Sequence, residues 1–126
     1  MKVLVFGNPL VEDDSLPLRL IPALQEEFPA VEFDEADPAD IDAEEGQVVV
    51  IDAAKGIGKD VVLIDDTEKL QHDKIMSAHG LGLAEMLALM KAAGRQIQVK
   101  IICVPQGMKQ SSALAAVTKM LRAIVP

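Results

Sequence analysis

The chain has 126 residues, half of them hydrophobic, a formal net charge of −8, one cysteine, and neither tryptophan nor tyrosine. That length suits one domain with a packed core, while the negative balance and 2% aromatic content exclude the basic surface and base-stacking platforms of a nucleic-acid binder. The lone Cys103 excludes an internal disulfide or a cysteine-only metal site, and no apolar run resembles a signal peptide or approaches the roughly 20 residues of a membrane helix, so a cytoplasmic protein without membrane insertion is expected.

Residues 3–6 are apolar at consecutive positions, the mark of a central strand covered on both faces. They empty into "GNPLVEDDSLPLRL", residues 7–20, which carries three acids in a row, Glu12, Asp13 and Asp14. Ser15 is expected to cap a helix running to Phe28, with Ile21, Leu24 and Phe28 on one face. Pro17 suits its first turn, and Pro22 implies a late start or a kink. Residues 30–33 read as a weaker edge strand, and the acidic stretch 32–45 as a solvated loop.

Residues 48–52 and 61–64 read as two further strands, separated only by "AAKGIGKD" at 53–60. A parallel crossover needs about a dozen residues. The second strand should therefore run antiparallel to the first, giving a mixed sheet. Residues 81–93 are apolar nearly all round and read as a buried helix ended by Gly94. A strand at 99–104 follows, and Ser111 or Ser112 opens a last helix through Leu114, Val117 and Leu121. Alternating strands and helices imply an α/β fold.

Sites in open α/β sheets gather outside the carboxyl ends of the strands. Three polar features are expected there: the acidic triplet, Asp52 as the first charge after "VVVI", and His79 in "SAHGLGL", residues 77–83. Two carboxylates and one imidazole would form a mixed oxygen and nitrogen site suited to a divalent transition metal. Each group also has a plainer role. Acids at a helix start complement its dipole, an aspartate at a strand end caps a turn, and a loop histidine is often structural. His72 in "QHDK" reads as an exposed residue, and Cys103 in its apolar strand as inert core. Lys55 in "AAKGIGK" does not complete a GxxxxGK[ST] phosphate loop, and neither HExxH nor GxSxG occurs. Spacing alone supports a candidate metal or acid site on an α/β domain.

Four segments taken together go further. "GNPLVEDD" (7–14) resembles the G-N-x-L-x-x-D-[DE] opening of the [NiFe]-hydrogenase maturation endopeptidases. "VVVIDA", "SAHGLGL" and "VPQG" follow in the same order as that family's aspartate-ending strand, histidine loop and late strand with a Q-P-like turn. The resemblance spans nearly the whole chain, 1–126, as one domain. It implies a three-layer α/β/α sandwich around a five-stranded mixed, mostly parallel sheet with one antiparallel strand. It also implies an endopeptidase that removes the C-terminal extension of a hydrogenase large-subunit precursor after nickel insertion, with nickel as the recognition signal.

Carried over by motif, the metal-binding and catalytic residues would be Asp14, Asp52 and His79. The nickel would arrive with the precursor and bind the isolated protein weakly. Asp13 would support the loop, and Glu12 falls where the family varies. The sequence departs from the family at Val5, Ser15 and Pro17, where glycines are common, and it is short across 32–45. Two readings from other classes compete: a phosphoacceptor receiver domain, with Asp52 as acceptor, and a non-catalytic homologue that only binds a hydrogenase subunit.

Overall fold

The computed structural model describes residues 1–37, 40, 46–55, 58–64, 76–77, 91–92, 94 and 97–125. In chain order the elements are β1 (Lys2–Phe6), α1 (Glu12–Glu27), β2 (Glu32–Ala36), β3 (Gly46–Lys55), β4 (Val62–Ile64), β5 (Met76–Ser77), β6 (Ile97–Pro105) and α2 (Gln110–Ile124). The sheet runs β2-β1-β3-β6-β4, and β5 pairs with β3 off this path. β2, β1, β3 and β6 are mutually parallel, while β4 is antiparallel to β6 and β5 to the end of β3. The expected α/β class, with a mixed, mostly parallel sheet, is therefore observed.

Strand alternation divides the core in two. Val3, Val5, Val49, Ile51, Ile102 and Val104 face α1 and α2, meeting Leu16, Leu20 and Leu24 of one helix and Ala113, Val117 and Leu121 of the other. Leu4, Phe6, Val48, Val50, Ile101 and Cys103 bury the opposite face. Consecutive apolar residues in β1, β3 and β6 follow directly from this two-sided burial. The buried helix expected at 81–93 falls mostly outside the described residues.

Several boundaries differ from those expected. α1 begins at Glu12, not Ser15, and its N-cap position is Val11 with no side-chain cap. Ser15 is instead inside the helix and donates its Oγ to the Glu12 carbonyl at 2.9 Å. The three acids thus occupy the first turn, where the helix dipole stabilises negative charge without a capping hydroxyl. Likewise α2 opens at Gln110 behind Lys109, again without a side-chain cap, ahead of both expected serines.

The stretch 32–45 is not all solvated loop. Its first five residues form the edge strand β2, paired to β1 from Lys2↔Glu32 to Phe6↔Ala36. Phe33 is buried in the core on the α1 side and Ala36 packs against the opposite core, while Glu32 and Glu35 are exposed, as suits an edge strand with little apolar surface. β4 runs opposite to β3, as the short connection requires, but it pairs with β6, which lies between them.

Candidate functional site

β1 sits between β2 and β3. From β1 the chain moves outward through α1 to β2, then returns to β3 on the other side of β1. The order reverses there, and in open α/β sheets the crevice beyond the strand ends at such a reversal is where ligands bind.

The first wall of that crevice is the chain leaving β1. Gly7 follows the last residue of β1, and a Cβ added there would lie 2.7 Å from the Asp14 carbonyl oxygen and 2.7 Å from Leu18 Cγ. Only glycine lets α1 start this close to the sheet. Asn8 then turns the chain. Its Oδ1 accepts from the Leu10 N–H at 3.0 Å, and its carbonyl accepts from the Val11 N–H at 3.1 Å. Pro9 stands second in that turn, the position its fixed φ favours. Glycine serves close packing here, and the loop brings carboxylates to the helix start.

Asp14 is half-buried in the first turn of α1. Its Oδ1 accepts from Nε2 of Gln106 at 2.6 Å. Gln106 belongs to the turn after β6, in which the Met108 N–H donates to the Pro105 carbonyl at 3.2 Å. Gly107 has φ +76°, the value that the third residue of a type II turn demands. The Gln106 N–H donates to the Ala54 carbonyl at 3.2 Å, so the turn is moored to β3 as well. Spacing arguments gave no reason to single out Gln106; its partner lies 92 positions away.

The second wall is β3. Asp52 was expected at the end of a strand, but β3 runs on to Lys55, and its ladder with β6 continues to Ala54↔Pro105. Ala53 and Ala54 are small and apolar, so nothing in them stops the strand, and both are buried. Asp52 is therefore inside β3 and only 1% exposed. Val5 pairs with Ile51, which sets Asp52 level with Phe6, the last residue of β1. Beyond that level β3 extends past the end of β1, along the edge of the crevice.

Cys103 is the register partner of Asp52 on β6. Burial, and secondarily the negative charge of Asp52, push its thiol up to about 12. A thiol so placed is protonated and unreactive at neutral pH, in keeping with a core role.

His79 and His72 lie outside the described residues, as do the side chain of Asp13 and most of "SAHGLGL". The nearest described backbone is β5, where Ser77 pairs with Ala54 and Met76 with Lys55. Among the described residues no three histidine, cysteine or acidic side chains gather closely enough to hold a metal. Sequence reading also passed over Glu35, Asp37 and Asp40. With Gly7 and Ala36 they line an open cavity of about 420 Å³ at the ends of β1 and β2.

A sequence model described as hydrogenase maturation protease matches residues 39–125, well over half of the chain. The chain belongs to the hydrogenase maturation protease family. The matched span includes Asp52, His79 and Gln106, while the segment bearing Asp14 precedes it. The solution structure of the endopeptidase HycI from Escherichia coli is similar, with a TM-score of 0.58 and 18% identity over 98% of this chain and 90% of that one. The crystal structure of an uncharacterized protein from Wolinella succinogenes gives a TM-score of 0.56 and 16% identity over 98% and 93%. At such identities the likeness speaks for the fold alone. No curated protein matches the chain. Among the described residues no helix is long and apolar enough to cross a membrane.

Proposed function

We propose that this member of the hydrogenase maturation protease family is an endopeptidase that removes the C-terminal extension of a [NiFe]-hydrogenase large-subunit precursor after nickel has been inserted. Residues 1–126 act as one domain, in the cytoplasm. The nickel is part of the substrate, and Asp14, Asp52 and His79 bind it.

The observation that carries this reading is the pair of acids flanking the β1/β3 reversal. Asp14 lies in the first turn of the helix that leaves β1, and Asp52 sits on β3 level with the end of β1. His79 follows two positions after Ser77, whose backbone pairs with Ala54. Two carboxylates and one imidazole leave coordination positions open for the precursor's own ligands, so the isolated protein holds nickel weakly.

Bound in this way, the metal orients the scissile bond and polarises its carbonyl or activates a water. Asp14 or Asp52 acting through a water is the other source of a general base. The non-catalytic reading differs only in outcome, and cleavage separates the two. Nickel-loaded and nickel-free precursor are each incubated with the protein, and intact masses are measured. Loss of the C-terminal extension from the nickel-loaded form alone is expected. Unchanged masses in both would overturn the enzymatic reading, and equal cleavage of both would overturn the role of nickel.

A further inference from the structure

We infer that Gln106 is a positioning residue for the proposed reaction: its side-chain amide holds one oxygen of Asp14 and so aims the other at the substrate's metal or attacking water. This rests on the assignment of Asp14 to the site.

A carboxylate at a helix start rotates freely about its last side-chain bonds unless something fixes it. Here the Gln106 Nε2 donates to Oδ1 at 2.6 Å, a short bond for a nitrogen donor, as suits an amide facing a charged carboxylate. With Oδ1 occupied, Oδ2 is the oxygen left to face a ligand. The donor itself is well fixed. Gln106 stands second in the turn closed by Pro105 and Met108, whose third residue Gly107 takes the left-handed conformation. Its own N–H is anchored on Ala54, two residues beyond Asp52 on the same strand.

The orientation of Asp14 is therefore referred, through Gln106, to the strand that carries Asp52. Outer partners of this kind orient the groups that touch a metal, and losing one costs about 10–100-fold in affinity or rate. An amide suits the task better than a cation. It fixes the carboxylate without cancelling the charge that a divalent metal needs.

The test compares wild type, Gln106→Ala, Gln106→Glu, Asp14→Asn and the double variant Asp14→Asn/Gln106→Ala on nickel-loaded precursor. Thermal melting and the Gln106 side-chain ¹⁵N amide signal are recorded for the proteins without substrate. The amide signal should shift in Asp14→Asn. Gln106→Ala should cleave about 10–100-fold more slowly, through kcat rather than KM, while melting as a folded protein. Gln106→Glu, which sets a second carboxylate against Asp14, should be no better than Gln106→Ala. The double variant should be no slower than Asp14→Asn alone, because Gln106 acts only through Asp14. Wild-type kcat in Gln106→Ala, or rate losses that multiply in the double variant, would overturn the positioning role and leave the proteolytic reading intact. A fully active Asp14→Asn would instead remove Asp14 from the site, and Gln106 with it. A wild type that cleaves nothing refutes the proteolytic reading before any variant is compared.

Discussion

Asp52 and Cys103 are register partners across the ladder of β3 and β6, both almost fully withdrawn from water. Strand alternation turns both side chains toward the sheet face opposite α1 and α2. A carboxylate in such a place is costly to bury and is ordinarily kept for specificity or function. Its effect is legible in its neighbour. Burial first, and the charge of Asp52 second, raise the Cys103 thiol from an ordinary value of 9.0 to about 12.

That shift has a testable sign. The folded chain keeps the Cys103 proton where the unfolded chain releases it, so the contribution to stability is whole below pH 9 and fades as pH rises toward 12. Three units would amount to at most about 4 kcal/mol. Urea unfolding should show wild type losing stability faster than Cys103→Ala across this window. Equal slopes would mean that the thiol is not perturbed. At pH 8 the native thiol should also resist alkylation and react only on unfolding.

Gly7→Ala should strain the junction on which Asp14 depends. The new methyl meets the Asp14 carbonyl and Leu18 Cγ, each at 2.7 Å, so the first turn of α1 must retreat. A loss of about 1–3 kcal/mol is expected, the usual scale of overpacking, together with a fall in cleavage rate. Denaturation and cleavage assays on the same sample check both, and an unaltered midpoint would show that α1 yields freely.

The central strands β1, β3 and β6 were legible because each carries consecutive apolar residues, which a two-sided core explains, whereas the parallel edge strand β2, reading EFDEA, was only weakly so. The direction of β4 was legible because the connection read from the sequence, residues 53–60, is too short for a crossover. Which strand it joins was not, since the choice between β3 and β6 depends on contacts far apart in sequence. Local rules failed where packing overruled them. Ser15 looks like a cap, yet Gly7 and the Asn8 turn start the helix one turn earlier. Asp52 looks like a strand end, yet pairing with β6 carries β3 past it. Asp14 and Asp52 were named by motif, and Gln106 stood within the quoted "VPQG" turn, but its tie to Asp14 across 92 positions had no local signature.

Asp52→Asn conserves size in a tightly packed strand, so it should fold with stability within about 1–2 kcal/mol of wild type. Cleavage should nevertheless collapse, because a neutral amide is a poor ligand for a divalent cation. The same variant should lower the alkaline onset of Cys103 reactivity, since one of the two causes of its shift is gone. A folded Asp52→Asn protein with normal cleavage would remove Asp52 from the mechanism.

The two histidines should not be equivalent. His79 belongs to the segment that matches the family's histidine loop, whereas His72 lies among charged residues. His79→Ala should abolish processing and His72→Ala should leave it nearly intact, read as precursor mass in parallel reactions. Equal losses would mean that the imidazole of the site has been misassigned.

The acids of the first turn of α1 offer the sharpest contrast between a ligand and a diffuse charge. Glu12 is exposed at the first helical position, where its carboxylate does no more than favour the dipole. Glu12→Gln should therefore cost only a few tenths of a kcal/mol in stability and little in rate. Asp14 is half-buried and bonded to Gln106, so its loss cannot be spread over its neighbours. Asp14→Asn should lose most of its cleavage, down to a residual rate measurable only over long incubation. Asp14→Glu should keep partial activity, because it retains the charge but overreaches a donor only 2.6 Å away. If the turn were merely a negative patch, neutralising either residue would weaken cleavage by a similar small amount, and added salt would mimic the loss. Cleavage rates of Glu12→Gln, Asp14→Asn and Asp14→Glu at low and high ionic strength separate the two cases. A graded, salt-sensitive response that ignores position would sink the assignment of Asp14 as a ligand.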